Sequence, residues 1–379
     1  MKHIKMKLNN MNHDSCPIFF ESDSFKHITN FLEKEFPESA CVIITDKTVE
    51  KLYGKELRAL IKKGIRNNAR KVFLFSISPG EKSKNQKYKT IIEEKMLKLR
   101  IDRHSVIIAL GGGVVGDLAG FIAATYMRGI SYIQVPTTLL AMVDSSIGGK
   151  TGIDTPQGKN LVGSFWQPRA VFIDLKYLES LSQKQFKSGL IEAVKMFIIS
   201  DVNSFLYVEK NIDKLLYRNQ KILKNVIENA IQTKARIVEK DERENGERMI
   251  LNFGHTIGHT LEKLSKYKML HGYAIALGII IETGLAVDIG QLGELDYLRI
   301  KRLLADKIGI NLKYLRKYKI EKIMDNVKND KKTKNGKPHY VILKEIGKVY
   351  TKKNKPQNIF AHPVADTTVV RVFKKITSR

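Results

Sequence analysis

Apolar residues follow two different periods along this chain. In the first half, short β-branched runs stand at CVIITD (41–46), KVFLFSI (71–77), SVIIAL (105–110), YIQVP (132–136) and AVFIDL (170–175). Between them lie stretches with apolar residues three and four apart, such as Thr48 to Lys63 and Gln86 to Leu99. Short apolar runs bounded by turn residues read as buried strands, and their alternation with amphipathic helices predicts a parallel sheet with helices on both faces. From Ser182 onward the period is 3.6 residues, which predicts helices over 186–199, 202–217, 222–240, 248–267 and 274–289. Short helices and a small ribbon (HYVIL, then GKVYTKK) follow. The expected architecture is an α/β domain built on a parallel sheet over residues 1–181 and an all-α domain over 182–379.

Composition narrows the class. A chain of 379 residues with 43% hydrophobic and 28% charged positions can build two ordinary cores. No apolar run approaches the roughly 18 residues of a membrane span, and the basic N-terminus lacks the apolar centre of a signal peptide. The two cysteines, Cys16 and Cys41, form no disulfide framework, so a reduced cytoplasm is expected. The net charge of +27 raises nucleic-acid binding as a reading, because phosphate contacts dominate such affinity. The lysines are scattered, however, with only modest clusters such as Lys62–Lys63 and Lys331–Lys332. Attraction of a small polyanion fits better, with neither nucleic acid nor membrane as partner.

Three segments carry candidate chemistry. In IIALGGGVVGDLAGFIAA (107–124), Gly111, Gly113 and Gly116 fit G-x-G-x-x-G between a strand and a helix. Such a turn lets backbone N–H groups at a helix start face a pyrophosphate, although glycines there also serve tight packing. No Asp or Glu lies between Asp117 and Asp144, so the usual ribose carboxylate about twenty residues on is missing. The run Gln134 to Pro168 is rich in hydroxyls and glycines and holds Asp144, Lys150, Lys159 and Asn160. It reads as a long functional loop. Finally, His255, His259 and His271 account for three of nine histidines, with Glu192 in an earlier apolar helix. Imidazoles plus a carboxylate suit zinc or a similar divalent ion, and an i, i+4 pair on one helix face is the natural ligand guess. The alternative is a pair of hydrogen-bonded core histidines.

Taken together, GGGVVGDLAGF, VPTTLLAMVDSSIGGKT, GKNLVGSF, SGLIEAVK, NFGHTIGHTLE and the late DKK at Asp330 to Lys332 closely resemble the 3-dehydroquinate synthase family of sugar-phosphate cyclases, from about Val42 to Val349. The resemblance implies a Rossmann-like NAD-binding domain followed by a metal- and substrate-binding helical domain. It implies Glu192, His255 and His271 as ligands of Zn2+ (or Co2+), with His259 beside them rather than a fourth ligand. NAD would meet Asp46; Pro79, Gly80, Glu81, Lys82, Ser83 and Lys84; Gly113, Val114, Val115, Gly116 and Asp117; Thr137 and Thr138; Lys150 and Lys159; and Tyr177, Leu178, Glu179 and Ser180. The catalytic and substrate positions implied are Asp144, Lys150, Asn160, Lys195, Lys234, Arg248, Asn252, His259 and Lys332, with Lys331 as the alternative to Lys332. Arg128 would act across a homodimer interface.

The implied substrate is 3-deoxy-D-arabino-heptulosonate 7-phosphate, a phosphorylated sugar acid. The implied reaction is transient oxidation by NAD, β-elimination of phosphate, re-reduction and intramolecular aldol closure. Rival readings are another sugar-phosphate cyclase or a polyol dehydrogenase of the glycerol-dehydrogenase type. Two departures stand out: Ser180 and Gln185 replace a common Thr and Glu, and FAHPVADTTVVRVFKKITSR at the end does not read as the family's closing helix.

Overall fold

The computed structural model describes residues 3–7, 15–63, 71–328, 338–354 and 358–378. It separates into two compact units, Met1–Ser182 and Gln183–Arg379. In the first unit the elements run β1 (His3–Lys7), β2 (Ser15–Phe20), α1 (Ser24–Glu35), β3 (Cys41–Asp46), α2 (Lys47–Val49), α3 (Lys55–Lys63), β4 (Val72–Ile77), α4 (Gln86–Lys98), β5 (Val106–Gly111) and α5 (Gly113–Thr125). There follow β6 (Ser131–Pro136), β7 (Lys150–Thr155), β8 (Gly158–Phe165) and β9 (Val171–Ile173).

The five predicted strands are present and join a seven-stranded sheet in the order β1-β2-β9-β6-β5-β3-β4. All neighbours pair in parallel except β1, which runs antiparallel to β2 at one edge. β3 and β5 are central and buried along nearly their whole length, which is why they read as unbroken apolar runs. Helix α5 packs on this sheet with Val115, Leu118, Ala119 and Ile122 in the core beside Ile107 and Ala109.

Three features depart from the expected pattern. β1, β2 and α1 extend the sheet on its far side and were not predicted. Helix α1 shows clear periodicity, with Phe25, Ile28 and Leu32 buried. The segment 134–168 is not one long loop: it holds a helical turn, Ala141–Ser145, and a paired hairpin β7–β8. The hairpin strands approach closely because Gly152 and Gly163 face each other; a Cβ on Gly163 would collide with the Thr151 carbonyl oxygen.

The second unit is mainly helical: α6 (Gln183–Ser200), α7 (Val202–Leu216), α8 (Gln220–Lys240), α9 (His255–Leu264), α10 (His271–Asp288), α11 (Glu294–Lys301) and α12 (Ile320–Lys328). Short strands β10 (His339–Tyr340), β11 (Leu343–Glu345), β12 (Lys348–Val349) and β13 (His362–Pro363) precede helix α13 (Asp366–Thr377). The expectation of no closing helix is therefore corrected. Val369, Val372, Phe373 and Ile376 recur at helical spacing and are buried. Arg371 pairs with Asp288 of α10, and Val372 packs at Gly284. The predicted helix 248–267 is also divided, into a tight turn Glu247–Asn252 and α9, because Gly254 takes the left-handed conformation at φ 77°. α10 is long and apolar enough to cross a bilayer by composition, but it is mostly buried within this unit.

α9 lies backbone to backbone on α10. A Cβ on Gly278 would strike the Gly254 carbonyl oxygen and come within 3.0 Å of the Gly258 nitrogen. Gly278→Ala is therefore expected to cost about 1–3 kcal/mol by overpacking. Calorimetry of the second unit's transition checks this, and an unchanged midpoint would mean that the two helices can part without cost.

Candidate active site

In the first unit, the carboxyl ends of β3, β4, β5 and β6 carry the residues expected to meet NAD. Asp46 caps the start of α2, its Oδ1 accepting the N–H groups of Thr48 at 2.8 Å and Val49 at 3.1 Å. After β4, Gly80 sits at φ 98° and turns the chain into Glu81–Ser83. Helix α5 starts at Gly113 with no side-chain cap, so its first N–H groups form an open anion-facing end. The glycines also serve packing, since a Cβ on Gly116 would lie 2.7 Å from Gln134 and one on Gly113 would lie 3.0 Å from Ser145. The packing reading of this turn is thus observed, and the open helix start is compatible with the phosphate-facing one.

The Thr137 N–H donates to the Gly111 carbonyl at 2.9 Å, which ties the β6 end to the glycine turn. Thr138 Oγ1 accepts the Ala141 N–H at 3.2 Å, the capping role that its position after Pro136 allows. Tyr177 and Leu178 are core side chains, and the Tyr177 hydroxyl lies 2.6 Å from Ser24 Oγ. Burial pushes that hydroxyl's pKa up. Ser180 Oγ lies 2.8 Å from the Tyr53 hydroxyl, so it has a defined partner within the unit.

Lys84 is the electrostatic centre of this edge. It is 4% exposed, with Nζ 3.0 Å from Glu81, 3.1 Å from Asp117 and 3.8 Å from Asp154. Burial opposes its charge, but the three carboxylates outweigh that and raise its pKa. Lys159 joins through Glu81 at 3.6 Å. Within the hairpin, Lys150 stands at the base, paired in register with Phe165, whereas Asn160 lies near the tip. Arg128 is exposed at φ 68° in the turn that follows α5.

In the second unit, Glu192, His255 and His271 come together with one ligand atom from each within 4.8 Å of the others. A second grouping, His259, Glu262 and His271, meets the same distance. The orientation of the rings separates them. His255 Nδ1 lies 3.1 Å from the Phe253 carbonyl and His271 Nδ1 lies 3.1 Å from Glu262 Oε2. Each imidazole is thus held through Nδ1, which turns Nε2 to the first group; His271 Nε2 is 3.4 Å from Glu192 Oε1. In this arrangement Glu262 orients the His271 ring. Sequence reading missed it, because a glutamate three residues after His259 looks like an ordinary helix-surface residue.

The charge balance fits a divalent cation. Glu192 and Glu262 are almost fully buried, and Lys195 Nζ lies 2.6 Å from Glu192 Oε2. Burial alone would lower the pKa of His271, yet Glu262 and Glu192 outweigh it and push the ring up to about 10. A pocket that so favours positive charge, offering two imidazoles and a carboxylate, has the donor set of a borderline metal such as zinc or cobalt.

Further cations stand in the same unit. Lys234 is 5% exposed on α8, not on a solvated face. Arg248 is 1% exposed; its backbone N–H donates to Asp241 Oδ2 at 3.0 Å and its Nη1 to the Glu242 carbonyl. Asn252 Nδ2 donates to Glu244 Oε1 at 2.6 Å. Lys331 and Lys332 lie outside the described residues.

Comparison with known proteins gives the family. The family model for the 3-dehydroquinate synthase N-terminal region matches residues 74–188, and that for the C-terminal region matches 189–333. The 3-dehydroquinate synthase of Desulforamulus reducens is 40% identical over 88% of this chain and 92% of its own. That of Thermoanaerobacter pseudethanolicus is 40% identical over 91% and 96%. Among solved structures, a 2-deoxy-scyllo-inosose synthase complexed with carbaglucose-6-phosphate, NAD+ and Co2+ is 26% identical with a TM-score of 0.87, covering 99% of each chain. On these matches and this arrangement of side chains, the chain belongs to the 3-dehydroquinate synthase family.

Proposed function

We propose that this chain converts 3-deoxy-D-arabino-heptulosonate 7-phosphate to 3-dehydroquinate and phosphate, as a cytoplasmic homodimer that uses NAD and Zn2+ or Co2+. The observation that carries this reading is the group of buried Glu192 and His255 with half-buried His271, oriented by Glu262 and the Phe253 carbonyl, in a chain of this family. NAD, when bound, takes up and returns a hydride, and a divalent metal at Glu192, His255 and His271 acts as a Lewis acid toward substrate oxygens.

The side chains do the rest. Arg248 presents a planar guanidinium suited to the substrate carboxylate; Asp241 fixes its backbone N–H, and the Glu242 carbonyl orients the guanidinium by accepting from Nη1. Lys234 supplies a buried point charge for an anionic oxygen. Lys195 is held at Glu192, which keeps an ammonium beside the metal ligands. His259 stands at 5.1 Å from the His255 ring, near enough to touch a bound substrate without ligating. With so many cations and few unpaired bases, the departing phosphate itself is the best acceptor for the C6 proton. The catalytic contribution of the protein is thus chiefly orientation and fixed charge.

Incubation with the heptulosonate phosphate, NAD and Zn2+ tests the reading. Phosphate should be released stoichiometrically without lasting NADH. Lasting NADH would indicate a dehydrogenase, and release of neither product would overturn the proposal.

The metal assignment has its own test. His271→Ala should abolish tight zinc binding, whereas His259→Ala should keep most of it. Metal content after dialysis measures both, and equal loss in the two variants would make His259 a ligand.

The homodimer reading draws on Arg128, an exposed residue at φ 68° following Met127 at φ 50°, strained backbone of the kind kept at functional positions. Arg128→Ala and Lys150→Ala should each be inactive. If Arg128 serves the neighbour's site, a mixed dimer regains one intact site and up to about half of wild-type activity per dimer. A verified heterodimer with no recovery would remove that role.

A further inference from the structure

The tip of hairpin β7–β8 carries an arrangement that neither the glycine turn nor the metal group explains. Lys84 Nζ donates to Asn160 Oδ1 at 2.7 Å. An ammonium group can only donate, so the amide atom facing it is the oxygen, and Nδ2 is the end turned away from Lys84. Asp154 acts on the same residue through the backbone. Its Oδ1 accepts the Asn160 N–H at 3.0 Å, and Asn160 stands there at φ 53°. That left-handed conformation is uncommon for any residue with a Cβ, although asparagine tolerates it better than most. Asp154 is itself anchored, since its N–H donates to the Lys84 carbonyl at 2.8 Å and it bridges to Asn85. One carboxylate thereby joins the hairpin tip to the turn after β4.

We propose that Asp154 is a positioning residue: it holds the Asn160 backbone in its left-handed turn and, with Lys84, fixes which end of the Asn160 amide is offered to the substrate. The group offered is a donor, suited to a hydroxyl or an anionic oxygen. This inference rests on the reading of Asn160 as a substrate contact.

The charges around Asp154 give the device a pH dependence. Burial pushes its pKa up to about 6, against the pull of Lys84; Glu81 adds repulsion, while the Asn160 N–H and Lys159 favour the charged form. Asp117, on α5, faces the same ammonium. A carboxylate accepts the Asn160 N–H through a charge-assisted bond, roughly twice as strong as its neutral counterpart. The hold on Asn160 therefore weakens as pH falls through about 6 and Asp154 takes up a proton.

Steady-state rates with the heptulosonate phosphate, at saturating NAD and Zn2+, should be measured from about pH 5 to about pH 8 for the wild type, Asp154→Asn, Asp154→Ala and Asn160→Ala. Asp154→Ala is expected to raise KM at least about fivefold with little change in kcat, the size of one lost positioning bond. Asp154→Asn keeps a neutral oxygen acceptor like that of protonated Asp154, so it should recover part of that loss and should lose the part of the wild type's rise in KM below about pH 6 that comes from Asp154. If Asn160→Ala raises KM while Asp154→Ala does not, the positioning role is overturned. An acid rise in KM that persists unchanged in Asp154→Asn overturns it as well, and this arm decides the matter should Asp154→Ala not fold. An unchanged KM in Asn160→Ala would instead remove the substrate contact on which the inference stands.

Discussion

The candidate metal group depends on helices touching through bare backbone. His271 opens α10, and the residue after it, Gly272, is pressed on Ser188 of α6, where a Cβ would overlap the Ser188 carbonyl. The Gly272 N–H is bonded to Ser188 Oγ at 3.0 Å. Glu192 lies one helical turn beyond Ser188, so this single contact brings a carboxylate to an imidazole. At the other crossing, Gly254 and Gly258 meet Gly278, and His255 follows Gly254 directly. Interhelical distances are set by the side chains at the contact, and with none there the three helices approach until their ligands converge. The buried carboxylate of Glu282 completes the second crossing by accepting the Gly254 N–H at 2.8 Å.

Such convergence puts ionised groups where water is scarce, and each unit meets the cost by local pairing. Around Lys84, one ammonium serves three carboxylates; around His271, two carboxylates serve one ring, with Lys195 beside them. Neither cluster is strong evidence of stability, because desolvation offsets much of the attraction. Their value is directional. Each fixes the orientation of a polar side chain: the Asn160 amide in one case, the His271 ring in the other.

The sequence made the strongly periodic parts legible. Parallel strands such as β3 and β5 are buried on both faces and show it as unbroken β-branched runs, and α7, α8 and α9 show their 3.6-residue period, whereas α6 and α10 are legible by length and apolar content. Less legible were partly exposed segments and, despite its clear period, helix α1. The hairpin strand GKNLVGSF is largely exposed and rich in glycine, so it carried no apolar alternation to read as a strand. In α13, a preceding proline and β-branched residues hid a spacing that does fit a helix. The site was divided in the same way. Residue types and resemblance singled out Glu192, His255 and His271, while spacing alone favoured His255 with His259. Glu262 and Asp154 leave no such mark on the chain, since what sets them apart is a hydrogen bond to His271 in one case and to Asn160 in the other.

The excess charge of +27 has a bounded meaning in this setting. Exposed lysines act through solvent and are screened over about 8–10 Å at physiological ionic strength, so they can raise the local concentration of an anionic substrate without choosing among anions. In the second unit, Lys195, Lys234 and Arg248 are each 5% exposed or less, and their environment is largely fixed before a ligand arrives. A doubly anionic sugar would gain most from these few, because they are poorly screened and already oriented. The surface charge therefore bears on how fast an anion is met, and on the proposed reading the buried cations bear on which anion is kept.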